Sequence, residues 1–211
     1  MPKVKVPRKS TAIDMTAMCD VAFLLLTFFI LTTKFRPSEL APIDIPSSKS
    51  EIPIPDKGIL KFEIASDGRI FVGVDDQPTR LALLDKISKQ YNLTLNGNQQ
   101  DAFRLTDNWG MDIRQLPTFL SMDANERAHF AHPGIKVDTT GGEQQLEDII
   151  LFARQSYDLS PDRKDGNDRL RIAIKGDKST QYKAFDKLIQ ALQNRKVNKF
   201  NIITSARTAK E

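Results

Sequence analysis

Val21–Thr33 reads VAFLLLTFFILTT, and Asp20 stands immediately before it. The run carries no charge, yet as a helix rising about 1.5 Å per residue it reaches only about 20 Å. A bilayer's hydrocarbon core is about 30 Å thick and needs roughly 20 residues to cross. Lys34 and Arg36 close the far end, so the missing turns come from Asp14–Cys19. A helix spanning 12–34 therefore carries Asp20 below the membrane surface. An aspartate at that depth costs on the order of 3 kcal/mol to insert. Ionisable groups kept there mark ion paths or proton relays by default. The structural alternative is that Asp20 snorkels toward the headgroups or pairs with a partner's lysine.

The 211 residues are 40% hydrophobic with a mean hydropathy of -0.38, the balance of a globular majority on one apolar anchor. No second span is found, so any pore has to come from oligomerisation or from a separate multi-span partner, with membrane lipids around the helix. The net charge of +4 is scattered along the chain, which argues against a nucleic-acid surface. Lys3, Lys5, Arg8 and Lys9 fall in a tail, 1–11, that contains no acid. That is the composition of a cytoplasmic flank, and it predicts an N-inside orientation with the bulk of the chain exported. A cleaved signal peptide is the rival reading. Its cleavage region, Pro37–Pro42, puts Glu39 where a small residue belongs, which favours an uncleaved anchor. The lone Cys19 lies within the helix, so the exported part has no disulfide to rely on.

Pro37, Pro42, Pro46, Pro53 and Pro55 punctuate residues 35–57. Prolines at that density exclude a helix and predict an extended tether, roughly 70 Å at full reach. A domain over 58–206 follows, with a short tail at 207–211. Ile59–Ile64 alternates Leu60, Phe62 and Ile64 with Lys61 and Glu63; Ser66-Asp67-Gly68 turns the chain, and Ile70–Val74 returns as a second strand. Helical spacing of Leu81, Leu84, Ile87 and Ser88 predicts a helix over Arg80–Tyr91. Residues 92–142 are harder to read: Asn96-Gly97 marks a turn, Ile113–Met122 suits a short helix at Pro117, and the rest is rich in loop signals. Glu143–Tyr157 is an amphipathic helix through Leu146, Ile149, Ile150 and Ala153, and Ser160–Asp168 is a polar loop. Leu170, Ile172 and Ile174 alternate with Arg171, Ala173 and Lys175, a strand with one face outward. Tyr182–Asn194 places Phe185, Leu188, Ile189 and Leu192 on one helix face, and Phe200–Thr204 closes as a strand. Strand, helix and strand within about 35 residues form a βαβ unit with parallel strands. The expected fold is one transmembrane helix plus a small α+β domain of hairpin, helices and C-terminal βαβ unit, with helices on one sheet face.

Residues three, four and seven apart share a helix face. Thr16 and Thr27 lie within about 40° of Asp20 at about 100° per residue, and Ala17, Phe23 and Leu24 fill the same side. Met15, Ala22, Leu26 and Phe29 face the other way, toward lipid. A protonated Asp20 tolerates apolar surroundings, whereas the carboxylate needs water or a cation. Switching between those states is what a proton carrier does, with Thr16 and Thr27 as its polar support.

The run Ile13-Asp14-Met15-Thr16-Ala17-Met18-Cys19-Asp20-Val21, followed by FLLLTFFIL, resembles the membrane segment of the ExbD/TolR family. That family's pattern is I-N-x-T/V-P-x-x-D-V, in which the Asp carries the proton; Asp20 matches it and Thr16 matches the common Thr. Asp14 replaces Asn and Ala17 replaces the usual Pro, which straightens the helix entrance and keeps the carboxylate in register. Ile43-Asp44-Ile45-Pro46 resembles the family's hydrophobic-Pro motif in the tether, and Leu170–Thr204 resembles its closing strand-helix-strand. Residues 92–142 make the chain longer than a typical member and read as an insertion. The resemblance implies an inner-membrane subunit of a Gram-negative bacterium with a periplasmic domain. It further implies two copies inside a pentameric, multi-span ExbB-type ring, working with a TonB-type protein to energise outer-membrane import from the proton-motive force.

The membrane motif does not separate this role from a TolR-like or gliding-type motor for envelope integrity or motility. A passive, anchored periplasmic binding module is a third reading, in which Asp20 only pairs with a partner helix. Glu126, His129 and His132 are spaced along one helix edge, but two histidines and Pro133 make a solvated loop the better reading than a metal site. Lys183, Lys187, Arg195, Lys196 and Lys199 make the last helix-strand unit basic, a solvated face or a contact for an anionic partner. No phosphate loop, nucleophile-base pair or paired catalytic carboxylates stand out, so no enzyme and no cofactor is expected.

Overall fold

The structure, a computed structural model, describes residues 15–33, 40–48, 58–135, 144–160, 169–180 and 182–206. The chain divides into two compact units, Met1–Pro37 and Ser38–Glu211. In the first, α1 (Met15–Thr32) is 18 residues long and mainly apolar, with Thr16, Asp20 and Thr27 as a polar stripe. Its mean hydropathy of 2.0 and its length suffice to cross a membrane. The remaining expected turn, 12–14, lies outside the described residues.

The second unit is built on a mixed five-stranded sheet. Its strands are β2 (Ile59–Ile64), β3 (Ile70–Val74), β4 (Asn108–Trp109), β5 (Arg171–Gly176) and β6 (Asn201–Ile203), in the order β4-β3-β2-β5-β6. The hairpin β2–β3 is antiparallel, with Phe62 opposite Val72, and turns at Gly68, whose φ of 86° suits glycine. β5 lies parallel to β6, as expected for the closing strand-helix-strand unit, and it is also parallel to β2. Two further short strands, β1 (Ser47–Ser48) and β7 (Ser205–Ala206), pair parallel with one another.

Three long helices cover one face of the sheet. α2 (Gln77–Gln90) starts three residues earlier than its apolar spacing suggests. Asp76 accepts from the Thr79 amide at 3.0 Å and Pro78 occupies the first turn, both of which favour a helix start. Its buried side is Leu83, Leu84 and Ile87, so Leu83 takes the place expected of Leu81. Arg80 is also buried there: it donates to the Val74 carbonyl at 2.9 Å and to that of Arg104 at 2.7 Å, tying α2 to β3. α6 (Gln145–Tyr157) packs between α2 and α7 (Tyr182–Asn194), and Ile149, Ile150, Leu188 and Leu192 complete the core under Leu60, Phe62, Ile172 and Ile174.

Residues between α2 and α6 contain more structure than expected. Asn96 is the cap of α3 (Gly97–Arg104) and not merely a turn: it accepts from the Gln99 amide while the Gln99 side chain accepts from its own, a closed capping box. A 3₁₀ turn, Ile113–Gln115, runs into α4 (Leu116–Ser121), whose start coincides with Pro117, and α5 (Ala124–Ala128) follows. Phe103, Trp109, Met111, Ile113 and Leu116 are all within 1% of full burial and belong to the same core as the sheet.

The second face of the sheet is the main correction. β5 is not open on one side: Ala173 and Lys175 are buried along with Ile172 and Ile174. Glu63 is likewise buried and pairs with Lys61 at 2.8 Å. Phe71, on this face of β3, packs against Ala65, Ala41 and Leu40. A Cβ on Gly110 would overlap the Phe71 ring, so glycine is what lets the backbone come this close.

The solvated loop expected for Glu126, His129 and His132 does not extend to His132, which is buried while the other two are exposed. Helix α5 ends at Ala128, and His132 turns inward to meet the rings of Phe119 and Phe130 edge-on at 5.3 and 5.1 Å. Its buried Nδ1 has no hydrogen-bond partner among the described residues. Burial, and then the neighbouring Arg69 cation, bring its pKa down from 6.5 to about 4. The unfolded chain therefore binds this proton near pH 6.5 and the folded chain only near pH 4. Stability present above pH 6.5 is lost progressively down to pH 4, by on the order of 3 kcal/mol. Urea unfolding across that range is expected to show this slope, and His132→Phe to flatten it; an unchanged slope contradicts the assignment.

Candidate functional site

Asp20 is the only charged residue between Met15 and Thr33, and α1 buries none of its residues within the chain. A helix apolar on most of its surface has no face to set against a soluble core and suits lipid or a ring of other helices. At about 1.5 Å per residue Asp20 sits roughly 7.5 Å into α1. Thr16 lies one turn back on the same side, about 6 Å along the axis, within reach of the carboxyl. Thr27 is about 10.5 Å ahead, too far for direct contact. Its hydroxyl donates to the helix carbonyls of Phe23 and Leu24 at 3.0 and 2.9 Å. With its proton so engaged, Thr27 offers the stripe an acceptor, which suits a water or a protonated group. The stripe is thus an acid flanked by two hydroxyls of unequal reach.

The tether motif belongs to the second unit and is docked there. It lies against the domain and is not a free spacer there. The Asp44 amide donates to Asp177 Oδ2 at 2.7 Å, and the Lys178 amide donates to the Asp44 carbonyl at 2.9 Å. Lys178 Nζ pairs with Asp44 Oδ2 at 2.5 Å. Ile43, Ile45 and Pro46 are half-buried. Pro46 helps line a cavity of about 240 Å³ with Ile64, Ile174, Phe185 and Ile202. β1 continues the docked segment by pairing Ser47 with Ser205. Residues 34–39 and 49–57 of the tether lie outside the described residues.

Gly176-Asp177, legible as a turn, is also the receptor for the strap. Asp177 Oδ1 accepts from the Ser179 hydroxyl and amide, the first of which does most to lower its pKa below the usual 3.8; the Asp44 amide adds to this. The hydrogen bond to Asp44 raises the Lys178 pKa above 10.5. The Asp177 contacts are therefore complete above pH 3.8 and lost only as pH falls through its lower folded value. The Lys178 pair is complete below 10.5 and lost as pH rises through its higher one. Amide exchange at Asp44 and Lys178 is expected to show strap protection unchanged from about pH 4 to about pH 10. Asp177→Ala is expected to abolish that protection while leaving the melting temperature almost unmoved, since both partners are at the surface.

An apolar helix carrying one acid, followed by a small mixed-sheet domain, suits a single-pass membrane protein. The chain matches the family described as Biopolymer transport protein ExbD/TolR over residues 7–207, nearly its whole length, and it belongs to that family. Members are transport and energy-transduction subunits that work in membrane complexes with other proteins. No curated protein and no solved structure matches the chain.

Proposed function

We propose that this chain is the proton-carrying subunit of an inner-membrane motor that couples the proton-motive force to TonB-dependent import across the outer membrane. The observation that carries this reading is Asp20: a lone acid in an otherwise uncharged, mainly apolar helix, with hydroxyls on its own stripe. A multi-span ExbB-type ring, pentameric and enclosing the helices of two copies, supplies the wall that one helix lacks. The N-terminus is cytoplasmic and the domain periplasmic. Asp20 is neutral while it faces an apolar wall and ionised where it meets water, so each protonation step changes which pose of the helix is favoured. One charge moved through 100 mV yields about 2.3 kcal/mol, so several protons are used per unit of work. Thr16 orients the acid, and Thr27, too far to touch it, offers an acceptor to the waters that reach the stripe. Proton flux into vesicles holding the assembled complex tests this: Asp20→Asn is expected to abolish flux while the ring still co-purifies, and undiminished flux overturns it.

A further inference from the structure

The basic residues near the chain's end form a cleft. Arg154 on α6, Arg169 and Arg171 at the start of β5, and Lys196 and Lys199 in the α7–β6 connection line an opening of about 880 Å³ with Phe200. Its apolar floor is Leu170, Ile172 and Val197. Among the described residues none that lines it is acidic. Arg195 next door shows what a structural cation looks like in this fold: it pairs with Glu147 at 3.2 Å and Asp148 at 3.0 Å. By contrast, Arg169, Arg171, Lys196 and Lys199 form no ion pair among the described residues, and Arg154 spends one donor on the Arg195 carbonyl. Five like charges held round one concavity repel one another, and an anion relieves that cost.

Lys196 adds a second observation. It follows α7 in the left-handed conformation, φ 56°, with its amide donating to the Gln193 carbonyl at 2.8 Å and the Val197 amide to that of Leu192 at 2.9 Å. Glycine is the residue that suits this helix ending. A lysine there is strained, and strain of this kind gathers at working sites.

We propose that this cleft binds an acidic segment of a partner polypeptide, its carboxylates on the cationic rim and its apolar side chains on the floor. Shape and chemistry select this occupant. A flat anionic bilayer does not enter a concavity. An inorganic polyphosphate meets the rim but offers nothing to Leu170, Val197 and Phe200. The volume is that of a ligand pocket, far larger than one carboxylate or phosphate requires. Arginine forks match carboxylates bidentately, which gives the rim direction as well as charge.

The full chain in detergent micelles is titrated with a fluorescein-labelled octapeptide of glutamate interleaved with leucine, read by anisotropy. Its glutamine counterpart and tripolyphosphate serve as comparisons. Saturable, salt-sensitive binding is expected, with amide shifts at Arg169, Arg171 and Lys199. Arg169→Glu combined with Lys199→Glu is expected to weaken it about tenfold or more. Lys196→Gly separates a binding role from a structural one. Relief of strain is expected to raise its melting temperature by about 2–4 °C, while removal of the cation weakens peptide binding. Equal binding of the glutamine peptide, binding that survives both variants, or no saturable binding overturns the proposal. So does tripolyphosphate binding more tightly than the peptide, which makes the site one for phosphate.

Discussion

Asp20→Asn is expected to leave the chain inserted, folded and in complex, and to reduce energised import to the level of cells whose ion gradient has been collapsed. The substitution preserves shape and removes only the titration. α1 buries no residue within the chain, so no core contact is lost and the domain's stability is unaffected. An amide at the same depth is easier to insert than the acid, so a shortage of protein in the membrane is not the expected cause. Asp20→Glu is the informative companion. It keeps a carboxyl but carries it one methylene further from the helix and from Thr16. Each unit of mismatch between the carboxyl and its two environments is about 1.4 kcal/mol, about tenfold in the occupancy of one state. Partial activity is therefore expected. Siderophore-type uptake by cells carrying only the Asn variant, with both variants at native abundance, checks the pair. Normal uptake by Asp20→Asn removes the proton-carrier role and leaves Asp20 a structural group.

Trp109→Ala is expected to destabilise the entire soluble unit by about 3–5 kcal/mol. Trp109 is 1% exposed, lies opposite Val72 across the β3–β4 pair, and packs on Phe103 at 6.1 Å between ring centres. Its removal opens a cavity where α3, β4 and the sheet meet, and the rigid backbone there cannot close it. Against a typical stability of about 5–15 kcal/mol this is a large share. Urea unfolding of the full chain is expected to show a lower midpoint with an unchanged slope, the sign of one cooperative unit. Leu105→Ala is the control: Leu105 is 70% exposed and close in sequence to the same core, and its loss is expected to cost under about 0.5 kcal/mol. Loss of exchange protection limited to 97–121, with the rest of the sheet as stable as before, contradicts the single-core reading. Residues 92–142 would then be an appendage.

Local order was legible wherever one period ran long enough. α7 spans Tyr182–Asn194, the residues its spacing marks, because an apolar face recurs over four turns. The β2–β3 hairpin was legible because Asp67-Gly68 names its turn and both arms alternate. α3 escaped because eight residues hold too few apolar positions to establish a period, and its capping pair, Asn96 and Gln99, resembles ordinary loop chemistry. β4 escaped because two residues carry no alternation at all. Polar residues misled as well. Lys61, Glu63 and Lys175 mark an outward face by type, yet Glu63 and Lys175 are buried.

The composition of one short run marks a helix long and apolar enough to cross a membrane, with Asp20 the one acid of Met15–Thr32, since hydropathy and helical spacing act between near neighbours. The order of the sheet, the burial of His132 among rings, and the cleft gathered from α6, β5 and the α7–β6 connection were decided only by the tertiary structure. The same holds for the strap, where Asp44 meets Asp177, 133 positions further along the chain. Such contacts depend on which surfaces the folded backbone brings within hydrogen-bonding distance, and no local pattern encodes a distance between residues so far apart.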